Sequence, residues 1–240
     1  MTDEFDETAN AAGTPPGGEA WGRDENRNAP ARTGLAWERR LELGPGAAVL
    51  GTVREVVFTP AAAFRVMRRE GGWAEPLGFA VLVGSVGVWA AQAWDMLMRT
   101  LLAGIAGTGA QEIAAANIAE VWFALFAPFL VCAATFFGAA LVHLLLLMFG
   151  GAPQPYETTF RVVCYSWSVG VFNIIPICGV LVGTVWRIVV QIIGVREAQE
   201  VPTGRAAAAV LVPVLLACFC LVLVVIASLS VANLAQMGLQ

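Results

Sequence analysis

The placement of arginines between long apolar runs is the feature that most constrains the fold of this 240-residue chain. The chain has no lysine, and nine of its 14 basic residues lie between Arg23 and Arg69, ahead of the first long apolar run. Later arginines fall mainly in every second loop. Because cytoplasmic loops of membrane proteins carry the excess of basic residues, this pattern predicts a multi-span membrane protein of defined orientation.

Composition supports lipid as the solvent of this chain. It is 58% hydrophobic and 13% charged, whereas soluble domains carry roughly 25% charged residues. All five cysteines fall inside apolar runs and only one histidine is present, so we expect structural thiols, no metal site and no cofactor. The arginines form no dense patch with interleaved aromatics, which argues against nucleic acid as a partner.

The region before the first span divides into two parts. Residues 1–34 hold seven acids within the first 25 positions and few large apolar side chains, so we expect a disordered acidic cytoplasmic tail. Residues 35–76 predict amphipathic helices, notably 46–58 and 60–69, separated by a Thr-Pro helix-start signal. These helices lie either at the membrane interface or on the protein's own cytoplasmic face.

The remaining chain predicts an all-α polytopic bundle of five transmembrane helices over 77–231, followed by an external tail at 232–240. A crossing needs about 20 apolar residues, so the stretch 160–195 is too long for one. Asn173, Pro176 and Gly179 interrupt it, which favours a tight helical hairpin. The predicted spans are 77–98, 121–149, 160–175, 177–195 and 206–231.

The arginines then predict the orientation. With the N-terminus inside, 12 arginines lie on the inner side or at its border, and only Arg99 lies outside. Arg187 falls within a span. We therefore expect a bacterial inner-membrane protein with a cytoplasmic N-terminus and an external C-terminus.

Polar residues inside spans are costly and are candidate functional residues. His143 is either a proton-sensing or ligand-contacting group, or a partner in an interhelical hydrogen bond. Asp95 and Arg99 have the spacing of a helical ion pair. Arg187 and Gln191 point in a common direction, and Arg187 either snorkels to lipid phosphates or lines an internal cavity.

Several motifs in order give the chain a family resemblance. They begin with VREVVFTPAAAFRVM at 53–67 and Glu75-Pro-Leu at the first span. A leucine-rich run from His143 ends in Gly150-Gly151, and the later motifs are RVVCYS at 161–166, Asn173-x-x-Pro176, Trp186, Gly194 and Arg196-Glu197. Over about 49–215 the chain resembles the bacterial members of the Yip1 family of five-span membrane proteins. Arg187 departs from the apolar helix that the family leads us to expect.

The resemblance implies the family's fold more than its cell biology. Eukaryotic relatives act in membrane traffic and bind Rab-type GTPases, but this sequence shows no such surface, and its arginine-only composition suggests a high-GC bacterium. No Ser/His/Asp set, HExxH or paired carboxylates occur, so we expect no catalytic residues. We predict a non-catalytic membrane-organising or partner-binding protein, acting in the lipid bilayer with membrane-protein partners or as a homo-oligomer. The alternative is a small transporter or channel with an intramembrane polar path.

Overall fold

A computed structural model describes residues 32–106 and 110–237, and the described chain is helical without strands. Residues 1–31 of the predicted disordered tail lie outside the described residues. Residues 238–240 of the predicted external tail also lie outside them. The α-helices are α1 (Arg40–Leu43), α2 (Pro45–Phe58), α3 (Pro60–Val66), α4 (Ala74–Ala106), α5 (Ala110–Met148), α6 (Tyr156–Ser166), α7 (Gly179–Gln199) and α8 (Thr203–Met237). Two 3₁₀ helices occupy Trp37–Arg39 and Trp167–Ile174.

Among the described residues, four helices are long and apolar enough to cross a membrane: α4, α5, α7 and α8. The prediction of five transmembrane helices is therefore wrong in its count. The predicted span 160–175 is not one α-helix, because α6 has only 11 residues and continues as eight residues of 3₁₀ helix. The length of an apolar run does not reveal where an α-helix changes to a 3₁₀ helix.

The segment from α6 to Ile174 nevertheless lies beside α4 along much of its length. Arg161 donates to the Gly72 carbonyl at 2.9 Å near one end, and Trp94 donates to the Ile174 carbonyl at 3.1 Å near the other. Helix α7 then returns along it, with Gln191 donating to Ser166 at 3.1 Å. The predicted hairpin between residues 160 and 195 is thus present, with an irregular first arm.

Neighbouring helices bury the first part of this irregular arm. Residues 158–166 of α6 are all buried, whereas in the 3₁₀ segment only Ser168 and Val169 are buried. Close approach to α4 requires glycine, because a Cβ at Gly87 would lie 3.0 Å from the Gly170 carbonyl oxygen. The 3₁₀ segment is thus held against α4 on one side, while Val171 and Ile174 are exposed.

Helices α2 and α3 form a second, shorter hairpin, here called the α2–α3 hairpin. The chain breaks at Thr59 before Pro60, as the sequence predicts, and the Thr59 hydroxyl donates back to the Glu55 carbonyl at 3.0 Å. The Val57 carbonyl accepts the indole N–H of Trp186 at 3.0 Å. The hairpin tip therefore lies beside the middle of α7.

The two ends of the bundle differ in character. The end that carries Arg161, Arg196 and Arg205, here called the inner end, holds the larger buried core, including Phe64, Phe79 and Tyr165. The opposite end, called the outer end, carries Arg99, and residues 215–228 of α8 are exposed. Tight packing is thus concentrated where the α2–α3 hairpin, α6 and the inner ends of the long helices meet.

Candidate functional site

A fully buried ion pair lies at the inner end. The guanidinium of Arg161 donates to Glu38 Oε1 at 2.7 Å, and neither side chain is exposed. The same carboxylate oxygen accepts the Tyr165 hydroxyl at 3.1 Å. Its other oxygen accepts the backbone N–H groups of Leu35 at 2.9 Å and Arg68 at 3.1 Å. Both oxygens of Glu38 are therefore fully engaged.

Arg161 joins this carboxylate to two further parts of the chain. It donates to Glu157 at 3.2 Å, the helical pairing that the sequence spacing allows, and to the Gly72 carbonyl at 2.9 Å. The segment before α1, the α3–α4 connection and α6 thus meet at one guanidinium. A charge satisfied this completely acts as a structural junction.

Opposing effects act on the pKa of Glu38 at this junction. Burial raises the pKa of the Glu38 carboxyl, while the hydrogen bonds from Arg68 and Leu35 and the charge of Arg161 oppose that rise. Removing one member of such a pair leaves the other buried without compensation. The inner end therefore depends on both charges being present.

His143 lies in a second polar cluster near the inner end. Its Nδ1 is 3.0 Å from the Thr159 hydroxyl, and its ring meets Tyr156 edge-on at 5.6 Å between centroids. Gln199 donates to the same hydroxyl at 2.8 Å. These contacts join α5, α6 and α7, which is the geometry of an interhelical hydrogen-bond network.

Arg187 sits on α7 with its guanidinium 3.6 Å from the ring centroid of Trp167. Among the described residues, no acid and no hydrogen-bond acceptor pairs with it. A guanidinium stacked on an indole keeps its N–H donors free in its own plane. Arg187 therefore presents unused donors at the middle of a spanning helix.

A cavity of about 80 Å³ lies in front of Arg187. Its wall is formed largely by glycines and small polar groups, including Gly87, Asn173 and Thr184. A second, larger depression of about 570 Å³ lies towards the outer end, lined by Gln92, Asp95 and Glu120 among others. Val180 lines both. The two spaces thus adjoin between α4 and α7, and we call them together the outer cleft.

Charges at the mouth of the outer cleft are paired. Arg99 contacts Asp95, the predicted ion pair, and also Glu120 of α5. Gln92 donates to Glu120 at 3.3 Å. The mouth holds two acids and one base, which gives it a net negative charge.

Most of the chain matches the model of a known protein family. The family model of the Yip1 domain matches residues 54–226. The chain belongs to the Yip1 family. No match was found among curated proteins or among solved structures.

In this Yip1-family chain the four candidate polar residues do not share one site. Asp95 and Arg187 line adjoining parts of the outer cleft, whereas His143 lies with Thr159 near the inner end. Gln191 lies four residues after Arg187 on α7, but it donates to Ser166 of α6, whereas Arg187 stacks on Trp167. Asp95, Arg187 and Gln191 were selected by being polar within apolar runs, and that criterion cannot find Glu38.

Sequence reasoning missed Glu38 and Trp167. Glu38 lies in LAWERRLEL at 35–43, which reads as an exposed amphiphilic helix. Its partner Arg161 is 123 residues away. Trp167 is an ordinary apolar residue in its run, and only tertiary structure places it against Arg187. The local sequence pattern predicts neither the contact of Glu38 with Arg161 nor that of Trp167 with Arg187.

Proposed function

We propose that this Yip1-family protein is a non-catalytic, membrane-organising protein that recognises or produces curvature. The observation that carries the proposal is the α2–α3 hairpin, which packs on α7 from the inner end as far as Trp186. It enters one half of the bundle without continuing into the other. Each α-helix is about 10–12 Å across with its side chains, so the hairpin adds volume to one leaflet only.

The surface of the hairpin supports this proposal. Leu50 and Phe58 are 73% and 75% exposed, although both are apolar. In a membrane these side chains contact acyl chains, as on other interfacial amphipathic helices. Arg65 pairs with Glu197 at 2.7 Å, and this polar contact marks the inner border of the hairpin on α7.

The proposed location is a bacterial inner membrane with the inner end in the cytoplasm. Arg65, Arg161, Arg196 and Arg205 lie at one end of the bundle, as the excess of basic residues on the cytoplasmic side leads us to expect. In this topology the chain crosses the membrane in the four long helices and once more in the irregular segment from α6 to Ile174. Because this number of crossings is odd, the C-terminus is external. A reporter active only in the periplasm is expected to work after Gln240 and to stay silent after Gly151.

Curvature sensing is tested with the full chain in giant vesicles from which thin tubes are drawn. We expect labelled protein to be enriched in the tube relative to the flat membrane. The pair of substitutions Leu50→Glu and Phe58→Glu removes the apolar surface of the hairpin without touching the core, and should abolish the enrichment. Leu41→Glu is the matched control, because Leu41 is 95% exposed on α1, outside the hairpin. Absence of enrichment in the unmodified protein contradicts the proposal.

A second candidate function, a small transporter or channel, is supported by the outer cleft. Polar residues from α4, α5 and α7 border it, and Arg187 has free donors at its base. Thr184→Cys and Val180→Cys, in a chain lacking the native cysteines, test whether water fills it. A membrane-impermeant thiol reagent added from outside should label both positions if water fills the cleft, and should spare Leu223→Cys on the exposed side of α8.

A further inference from the structure

A groove between the tip of the α2–α3 hairpin and α7 has the character of an acyl-chain site. Its volume is about 530 Å³, and it is lined by Val57, Phe58, Phe172, Leu181, Val182, Val185 and Trp186. Every lining side chain is apolar except for the indole N–H of Trp186, which the Val57 carbonyl accepts at 3.0 Å. No lining polar group is thus left to bind water, and hydrocarbon is the occupant that the groove fits.

A polar depression adjoins this groove on the other side of Phe58. It is lined by Gly51, Arg54, Glu55, Phe58 and Thr59, with a volume of about 710 Å³. Phe58 is the residue common to both spaces. This depression is more polar than the groove, because Arg54, Glu55 and Thr59 line it beside Phe58, so the two spaces match the headgroup and the chain of an amphiphile.

Arg54 supplies the positive charge of the polar depression, which Glu55 also lines. Its side chain is exposed and forms no ion pair or hydrogen bond with any described residue. The neighbouring Glu55 accepts the Ala36 backbone N–H at 3.2 Å, so one of its oxygens is already engaged. A free guanidinium binds a phosphate through parallel N–H bonds.

The positions of Arg54 and the groove along the bundle indicate the inner leaflet. Trp186, beside Val57, lies about 15 Å along α7 from Arg196 at the inner border. Arg54 precedes Val57 by nearly one helical turn and so lies closer to that border, and its long side chain reaches further towards it. The guanidinium is thus placed at phosphate depth while the groove lies at acyl-chain depth.

We propose that the groove and Arg54 form a binding site for one phospholipid of the inner leaflet. The phosphodiester pairs with Arg54, and one acyl chain passes Phe58 into the groove along Leu181 and Val185. These two α7 residues are 71% and 56% exposed, so the groove continues the side of α7 that faces lipid. The site needs the hairpin to pack on α7 at membrane depth, and it stands whether or not the protein senses curvature.

Native mass spectrometry of the full chain, released from detergent after stepwise delipidation, tests this site with dioleoyl phosphatidylglycerol as the added lipid. We expect one lipid to be retained at high stringency. Arg54→Gln should weaken retention about ten-fold, the size of a lost charge-assisted hydrogen bond. Val182→Trp should block the groove and abolish it. The matched controls, Arg65→Gln on α3 and Val222→Trp on exposed α8, should retain the lipid.

Location is checked with a phospholipid that carries a diazirine on its acyl chain. Label is expected on peptides containing Phe58 and residues 181–186, and should disappear in Val182→Trp. Equal retention in all variants, label spread evenly over α8, or a lipid-free dimer that Val182→Trp dissociates would each overturn the site. Thermal melting of each variant separates loss of lipid from loss of fold.

Discussion

Substitution of Glu38 by glutamine tests how strongly the inner end depends on its buried ion pair. The amide oxygen can still accept the N–H groups of Leu35 and Arg68. The amide nitrogen then faces the donors of Arg161 and Tyr165, where an acceptor is required. Arg161 keeps only Glu157 at 3.2 Å and the Gly72 carbonyl at 2.9 Å.

The magnitude follows from the burial of both partners. Breaking a buried pair by removing one charge costs about 3–5 kcal/mol, and the remaining contact to Glu157 places Glu38→Gln near the lower value. For a chain of this size, 1 kcal/mol shifts the melting temperature by roughly 2–4 °C. We therefore expect Tm to fall by about 6–12 °C.

Thermal melting in detergent, followed by tryptophan fluorescence, measures this change. The matched control is Arg65→Gln, which breaks the exposed pair with Glu197 and should cost no more than about 1 kcal/mol. The double substitution Glu38→Gln with Arg161→Gln should cost less than the sum of the two singles, because the charges are coupled. A Glu38→Gln melting temperature equal to that of the control would refute the structural role of the pair.

Three further predictions concern other parts of the chain. Arg187→Leu should raise Tm slightly, because a charge in mid-span costs about 2.5–3.5 kcal/mol and stacking on Trp167 returns about 2 kcal/mol; a fall of several degrees would reveal a partner beyond Trp167. Gly87→Val should lower Tm, since its Cβ would meet the Gly170 carbonyl oxygen at 3.0 Å, whereas Gly78→Val, with nothing within 4 Å of its Cβ, serves as the control. Deleting 2–31 should leave Tm unchanged while deleting 2–34 lowers it, because Arg32 donates to the Phe64 and Met67 carbonyls and Gly34 donates to Val66; equal melting of both truncations would contradict this.

Local signals in the sequence predicted the helices well. The Thr59-Pro60 break acts within one helical turn, so α2 and α3 end and begin where the sequence indicates. Apolar runs likewise located α4, α5, α7 and α8, because the length of a span is set by the bilayer. These features depend on neighbouring residues only.

Features that depend on distant residues could not be predicted. The 3₁₀ segment after α6 packs closely on α4 at Gly170 and Gly87, and its apolar composition does not distinguish it from an α-helix. Glu38 and Arg161 meet across 123 positions. The same limit applies to the site. Asp95 and Arg187 were identified as intramembrane polar residues, but their adjoining positions in one cleft required the packing of the 3₁₀ segment against both α4 and α7.

The depth of the α2–α3 hairpin is the measurement that tests the account most directly. A spin label at Thr59→Cys in a chain without native cysteines, reconstituted in bilayers, reports collisions with oxygen and with a water-soluble nickel complex. We predict that oxygen dominates at Thr59, while the nickel complex dominates at the control position Gly46→Cys near the start of α2. Equal exposure of both positions to the nickel complex would show that the hairpin lies in water and would contradict the account.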